Sequence, residues 1–183
     1  EAGPAPAVLP RYDGGAAYLD ALGAGQPLRA AWTPVAVCDE PGDWAGGLIE
    51  AAAATLAAGR GVILVVPDAD AVRHLDERCE AAFGAGSYAV LAAELGEGPR
   101  YRAFLDVLRG SVRLVLGTRS AVFAPVADLG LIAVWDEGND ALADQQAPYL
   151  HAREVAAIRA GEQRCALLLA AFARTATLAG LVV

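Results

Sequence analysis

Apolar and polar positions along the 183-residue chain follow two alternating periods. Gly61–Val66 (GVILVV) is apolar throughout, the mark of a strand buried on both faces of a parallel sheet. Val72, Leu75, Cys79, Ala82 and Phe83 follow at helical spacing and stop before Gly84. The cycle recurs along the chain. Ala31–Cys38 predicts a first strand made irregular by Pro34, and Asp43–Ala58 a helix with Asp43 as its N-cap and Gly59 as its stop. Tyr88–Leu91 predicts a strand. The helix expected at Pro99–Leu108 starts on proline and carries Tyr101, Phe104, Leu105 and Leu108 as its apolar stripe. Strands at Val112–Leu116, Leu131–Val134 and Cys165–Leu169, with a helix at Leu150–Ala160, complete the series. Ahead of it, residues 1–10 hold three prolines and predict an extended linker, and Ala16–Leu22 a short helix ended by Gly23.

Strands alternating with helices of this length predict a doubly wound α/β fold with a mainly parallel sheet. The expected organisation is a linker and short helix over residues 1–28 and one α/β lobe over 29–183. In such sheets function gathers on the loops at the carboxyl ends of the strands. The segments that matter are therefore those after Cys38, Val66, Leu116, Val134 and Leu169.

Composition narrows the chemistry. All 14 basic residues are Arg, which excludes a phosphate-binding or Schiff-base lysine within this chain. Roughly a quarter of the chain is alanine, which raises the apolar count while adding little core volume. The net charge of -8 argues against nucleic-acid binding by the surface as a whole. One strip departs from it: Arg100, Arg102, Arg109, Arg113 and Arg119 face a single acid, Asp106. Cys38, Cys79 and Cys165 are far apart, and with His74 and His151 they form no metal-ligand spacing, so no metal site is expected and the thiols read as reduced and buried. No signal peptide and no membrane-spanning apolar run is present, which predicts a cytoplasmic protein. With no Met at all, Glu1 is not a translation start, and the chain reads as part of a longer protein.

Ordered sequence blocks then carry a resemblance. Gly117-Thr118-Arg119-Ser120 runs on into Ala121-Val122-Phe123-Ala124-Pro125. Asp136-Glu137-Gly138-Asn139-Asp140 follows, and then Gln145-Gln146 and Leu150-His151-Ala152-Arg153-Glu154. In this order the stretch from about Gly59 to Thr177, about two thirds of the chain, resembles the first motor lobe of the primosomal replication-restart helicase family (primosomal protein N′, PriA). That family's blocks are GTRSA-x-FAP, DEEHD, QQ and YHARD. The resemblance implies a RecA-like helicase lobe, ATP and Mg²⁺ as the family's cofactors, and DNA and primosome proteins as partners. Any zinc would belong to segments outside this one.

The departures from the family decide what is expected of this chain. Where the resemblance implies a phosphate-binding loop, Cys38-Asp39-Glu40-Pro41-Gly42-Asp43-Trp44 lacks the Gly-Lys-Thr/Ser ending. It carries Asp39, Glu40 and Asp43 instead, and only Gly42 remains of the glycines. Each carboxylate facing a phosphate at ~5 Å and an effective dielectric of ~20 costs about 3 kcal/mol. Asp136 and Glu137 align with the metal-binding and water-activating acids, but Gly138 and Asn139 replace the Glu-His pair. Without phosphate co-ligands the two acids read as vestigial residues of a solvated loop. The family's Gly-Ser-Ala-Thr is absent after Leu169, with no hydroxyl before Thr175. The expectation is a monomeric lobe with a degenerate nucleotide loop, no catalytic residues and no cofactor.

The loop Gly117, Thr118, Arg119 and Ser120 is the candidate DNA-backbone contact. The alternative reading of that loop is a capped turn in which Arg119 pairs an acid. The aromatic stretch expected ahead of His151 is thinned to Tyr149, and Trp32, Trp44 and Trp135, though able to stack on bases, read as core. Three functions compete: a DNA-contacting, partner-recruiting scaffold for replication restart; an active ATP-dependent 3′–5′ helicase lobe using an atypical nucleotide loop; and a purely structural module.

Overall fold

The structure is a computed structural model that describes residues 7–35, 44–92 and 96–181. Among these residues six strands form one parallel sheet: β1 (Arg29–Trp32), β2 (Gly61–Val65), β3 (Ala89–Leu91), β4 (Leu114–Gly117), β5 (Leu129–Trp135) and β6 (Ala166–Ala170). Their order across the sheet is β1-β6-β5-β2-β4-β3. The helices are α1 (Gly15–Gly23), α2 (Trp44–Ala57), α3 (Ala69–Phe83), α4 (Glu97–Leu108), α5 (Ala152–Gln163) and α6 (Ala176–Leu181).

The winding follows from the right-handed crossover rule. After β1 and β2 the chain moves toward the β3 edge, and its helices α2 and α3 lie on one face with α1. After β3, β4 and β5 it moves back, and α4, a 3-10 turn at Arg119–Phe123 and α5 lie on the other. Alternate strand residues feed the two cores. Val62, Leu64, Leu116 and Leu131 join the first, and Ile63, Val65, Val115 and Ile132 the second. This is the doubly wound α/β architecture with a parallel sheet that was expected from the sequence.

Several element boundaries depart from expectation, among them β4, β5 and α5 by two or three residues, and three departures have a clear cause. β1 runs Arg29–Trp32 and ends before Pro34, which has no N–H to give to a ladder. α4 begins two residues before Pro99, and of its expected stripe Tyr101, Phe104 and Leu108 are exposed while Val107 is buried. This helix packs beside the three-residue edge strand β3, which offers too little sheet to cover a whole stripe. The expected extended linker is, at Leu9–Arg11, a 3-10 turn. The Val8 and Leu9 N–H groups donate to the Glu50 carboxylate at 2.6 and 2.8 Å, and their side chains enter the same core as Tyr18 and Leu22 of α1.

Cys79 and Cys165 are buried and unpaired, and burial, helped by Asp76, pushes the Cys79 thiol up to about 12. Among the described residues no helix is long and apolar enough to cross a membrane, and no three metal-binding side chains cluster.

Candidate functional site

Because every strand runs the same way, all carboxyl ends meet at one end of the sheet. β6 lies between β1 and β5, so the residues following the last two strands are neighbours despite their distance in sequence. Cys38, Asp39, Glu40, Gly42 and Asp43 lie outside the described residues. The described site starts at Trp44, the first residue of α2.

At that end Trp44 lies flat on Trp135, the last residue of β5, with centroids 4.6 Å apart and planes 6° from parallel. Phe172, just past β6, stands edge-on to Trp135 at 4.9 Å, and His74 of α3 lies 5.4 Å from Trp44. An aromatic stack thus ties the start of α2 to the ends of β5 and β6. Trp32 is buried against Tyr12, and all three tryptophans pack within the protein.

The two acids follow Trp135 directly. Asp136 has φ 51°, a left-handed backbone that costs a non-glycine residue energy, and its carboxylate accepts from the Asn139 amide at 2.7 Å. Glu137 is 0% exposed, which corrects the solvated loop expected there. Both of its carboxylate oxygens are engaged. Arg153 Nη1 donates to Oε2 at 2.9 Å and to the Glu137 carbonyl at 3.0 Å, and Thr175 Oγ1 donates to Oε1 at 2.6 Å. The Arg153 side chain is 14% exposed, so the pair is desolvated and its geometry matters. Thr175 also accepts from Leu178 N at 3.1 Å, opening α6.

Sequence reasoning aligned Asp136 and Glu137 but missed their partners. Arg153 lies in the HARE block, where its type was visible and its role was not. Thr175 is the first hydroxyl after β6, displaced from the family's position yet close enough to reach Glu137. Asn139, in place of a histidine, restrains Asp136.

The Gly117–Ser120 loop lies farther along the same end, after β4. Gly117 is required sterically: a Cβ there would sit 2.3 Å from the Leu91 carbonyl and 2.8 Å from Ala121 Cβ. Thr118 precedes the 3-10 turn without a side-chain cap bond. Arg119 Nη1 donates to the Ala143 carbonyl at 2.6 Å, with Asp144 at 3.8 Å from Nη2, and Ser120 Oγ accepts from Arg100 at 3.3 Å. The loop is anchored at Arg119 and open at Thr118 and Ser120.

Similarity to known proteins runs the length of this frame. The probable replication restart protein PriA of Mycobacterium tuberculosis (strain H37Rv) is 46% identical over 172 residues, covering 93% of this chain and 26% of that protein. The chain is a homologue of replication restart protein PriA. Its counterpart in Mycobacterium leprae is 45% identical over the same length, and Bacillus subtilis PriA is 35% identical over 114 residues, 62% of this chain. The chain spans about a quarter of the length of the mycobacterial PriA proteins, 26% in each. No protein-family model matches it. Among solved structures, the C-terminal domain of a Dbp5 variant from S. cerevisiae aligns with a TM-score of 0.41 at 12% identity, covering 67% of this chain and 65% of that one.

Proposed function

We propose that this chain is a helicase-like lobe of a replication-restart protein that neither binds nor hydrolyses ATP and serves as a DNA-contacting, partner-recruiting scaffold at stalled forks. The observation that carries the reading is Glu137. A water-activating carboxylate needs a free oxygen facing solvent or substrate, whereas this one is fully buried with one oxygen on Arg153 and the other on Thr175. Freeing it would leave Arg153 as an unpaired, largely buried charge, at a cost of about 3 kcal/mol or more.

The aromatic stack supports the same conclusion. The start of the helix after the first strand is where a phosphate-binding loop presents its N–H groups and Lys. Here that position holds Trp44 against Trp135, in a chain without Lys. The residues present do not match ATP·Mg²⁺, so no catalytic step is assigned and Asp136 and Glu137 act structurally. Glu137, with Arg153 and Thr175, ties the ends of β5 and β6 to α5 and α6, while Asp136 holds Asn139.

In this reading the surviving contact element is the Gly117–Ser120 loop, whose Thr118 and Ser120 hydroxyls and remaining Arg119 donors face a phosphate backbone. The names of the homologues support replication-restart partners, and in this reading the lobe works as a cytoplasmic monomer without a cofactor of its own.

Calorimetric titration of the full-length protein with ATP·Mg²⁺ tests the proposal. No saturable heat is expected. A dissociation constant below about 100 μM, roughly -5.5 kcal/mol, would return the chain to the active helicase reading.

A further inference from the structure

Between α4 and the 3-10 turn that follows the Gly117–Ser120 loop lies a cleft of about 610 Å³. Its wall on α4 is Arg100, Tyr101 and Phe104, and its opposite wall is Ser120 and Phe123. Three aromatic rings therefore open onto one cleft, and none of them is among the ring pairs formed elsewhere in the described residues. Tyr101 is 63% exposed and Phe123 57%. Burying them against the protein's own core would stabilise it, yet α4 turns Tyr101 outward and buries Val107 instead, and the 3-10 turn leaves Phe123 outside.

We infer that this cleft holds the bases of an unpaired DNA strand whose backbone runs along the Gly117–Ser120 loop; the inference rests on the DNA reading of that loop. Surfaces that hold single strands without sequence preference combine a basic track for the phosphates with exposed aromatic rings for the bases. Both parts are contiguous here. Ser120 lines the cleft and belongs to the loop, and it accepts a hydrogen bond from Arg100 on the facing wall.

Charge favours the same occupant. Five arginines from Arg100 to Arg119 face one acid, in a chain that is otherwise acidic. Arg100 lines the cleft and Arg119, held by the Ala143 carbonyl, lies in the adjoining loop; Arg113 is held by the Gly59 carbonyl, and among the described residues the Arg102 and Arg109 side chains make no hydrogen bond or ion pair. Glu97, at the first turn of α4, is the acid on the lining and marks the end of the cleft the backbone would avoid.

The test compares two single-stranded oligonucleotides of equal length, one of thymidines and one of abasic spacers, by fluorescence anisotropy on the full-length protein at low and moderate salt. The thymidine strand is expected to bind roughly tenfold tighter than the abasic one. Tyr101→Ala combined with Phe123→Ala should remove that advantage without altering abasic binding or the salt dependence. Tyr101→Phe should keep it, and Tyr101→Leu, which retains apolar area but no ring face, should not. Both side chains are exposed, so an unchanged melting temperature is expected and confirms folding.

Equal affinity for the two oligonucleotides overturns the base cleft while leaving the backbone contact intact. A full thymidine advantage in Tyr101→Leu also overturns it, since apolar area without a ring face would then suffice. Arg119→Ala should weaken both strands equally and reduce the salt slope by about 1. If it changes neither while the thymidine advantage persists, the loop reading fails and the cleft stands. Absence of binding to either strand at low salt overturns both.

Discussion

Gly138 is exposed to solvent yet has no room for a side chain, since a Cβ there would lie 2.6 Å from Thr175 Cγ2. The family's glutamate at this position and a threonine placed to reach Glu137 compete for the same space. Gly138 and Thr175 are therefore a matched pair. Gly138→Ala is expected to destabilise the protein by about 1–2 kcal/mol through overpacking. Adding Thr175→Ser removes the clashing methyl while keeping the hydroxyl on Glu137, and should restore most of the loss. Urea unfolding of both single variants and the double variant gives the coupling; additive effects would mean that the two side chains do not meet.

At the scale of elements, the amino end of α5 is tied by a side-chain cap. His151 is its N-cap, with Nδ1 accepting from Arg153 N at 3.3 Å, so the cap requires a neutral imidazole. Burial first, and the neighbouring Arg153 charge second, lower the His151 pKa, against smaller opposing effects of Glu154, Glu137 and the Asn139 backbone. A lowered folded-state pKa means that the unfolded chain takes up the proton first as pH falls. The contribution of this cap is therefore complete above the ordinary histidine value of about 6.5 and is lost as pH drops from there through the lowered pKa. His151→Asn keeps an acceptor at the cap and should flatten that part of the stability profile, read as the urea midpoint between about pH 5 and 7. An unchanged profile would remove His151 from the account.

For the whole molecule, the amino-terminal segment is part of the core rather than an appendage to it. Val8, Leu9, Tyr18 and Leu22 are buried with Trp32 and α2, and Glu50 holds the backbone of the 3-10 turn. Deleting residues 1–23 would uncover Trp32 and the outer face of α2. The expected result is a fall of several kcal/mol in stability, since each large side chain returned to water loses about 1.5–3 kcal/mol. Chemical denaturation measures it, and an unshifted midpoint would return this segment to the status of a linker.

The alternation of strands and helices was legible in the amino-acid order because a parallel sheet covered on both faces writes its strands as unbroken apolar runs, as in GVILVV and LGLIAVW. The GTRSAVFAP, DEGND and HARE blocks were legible for the same reason that any local motif is: their residues are adjacent in the chain. The orientation of α4 was not, because helical spacing says which residues share a face and is silent on which face finds a partner beside a short edge strand. Nor was the stretch of core under residues 8–22, where three nearby prolines outweighed two buried aliphatic side chains. The environment of Glu137 depended wholly on tertiary structure. Thr175, 38 residues away, reaches it only because β6 is inserted beside β5, and Trp44 meets Trp135 only because α2 begins at the same end of the sheet where β5 stops. Sheet order, which no local pattern encodes, converted two aligned acids into one that is restrained and one that is buried and paired.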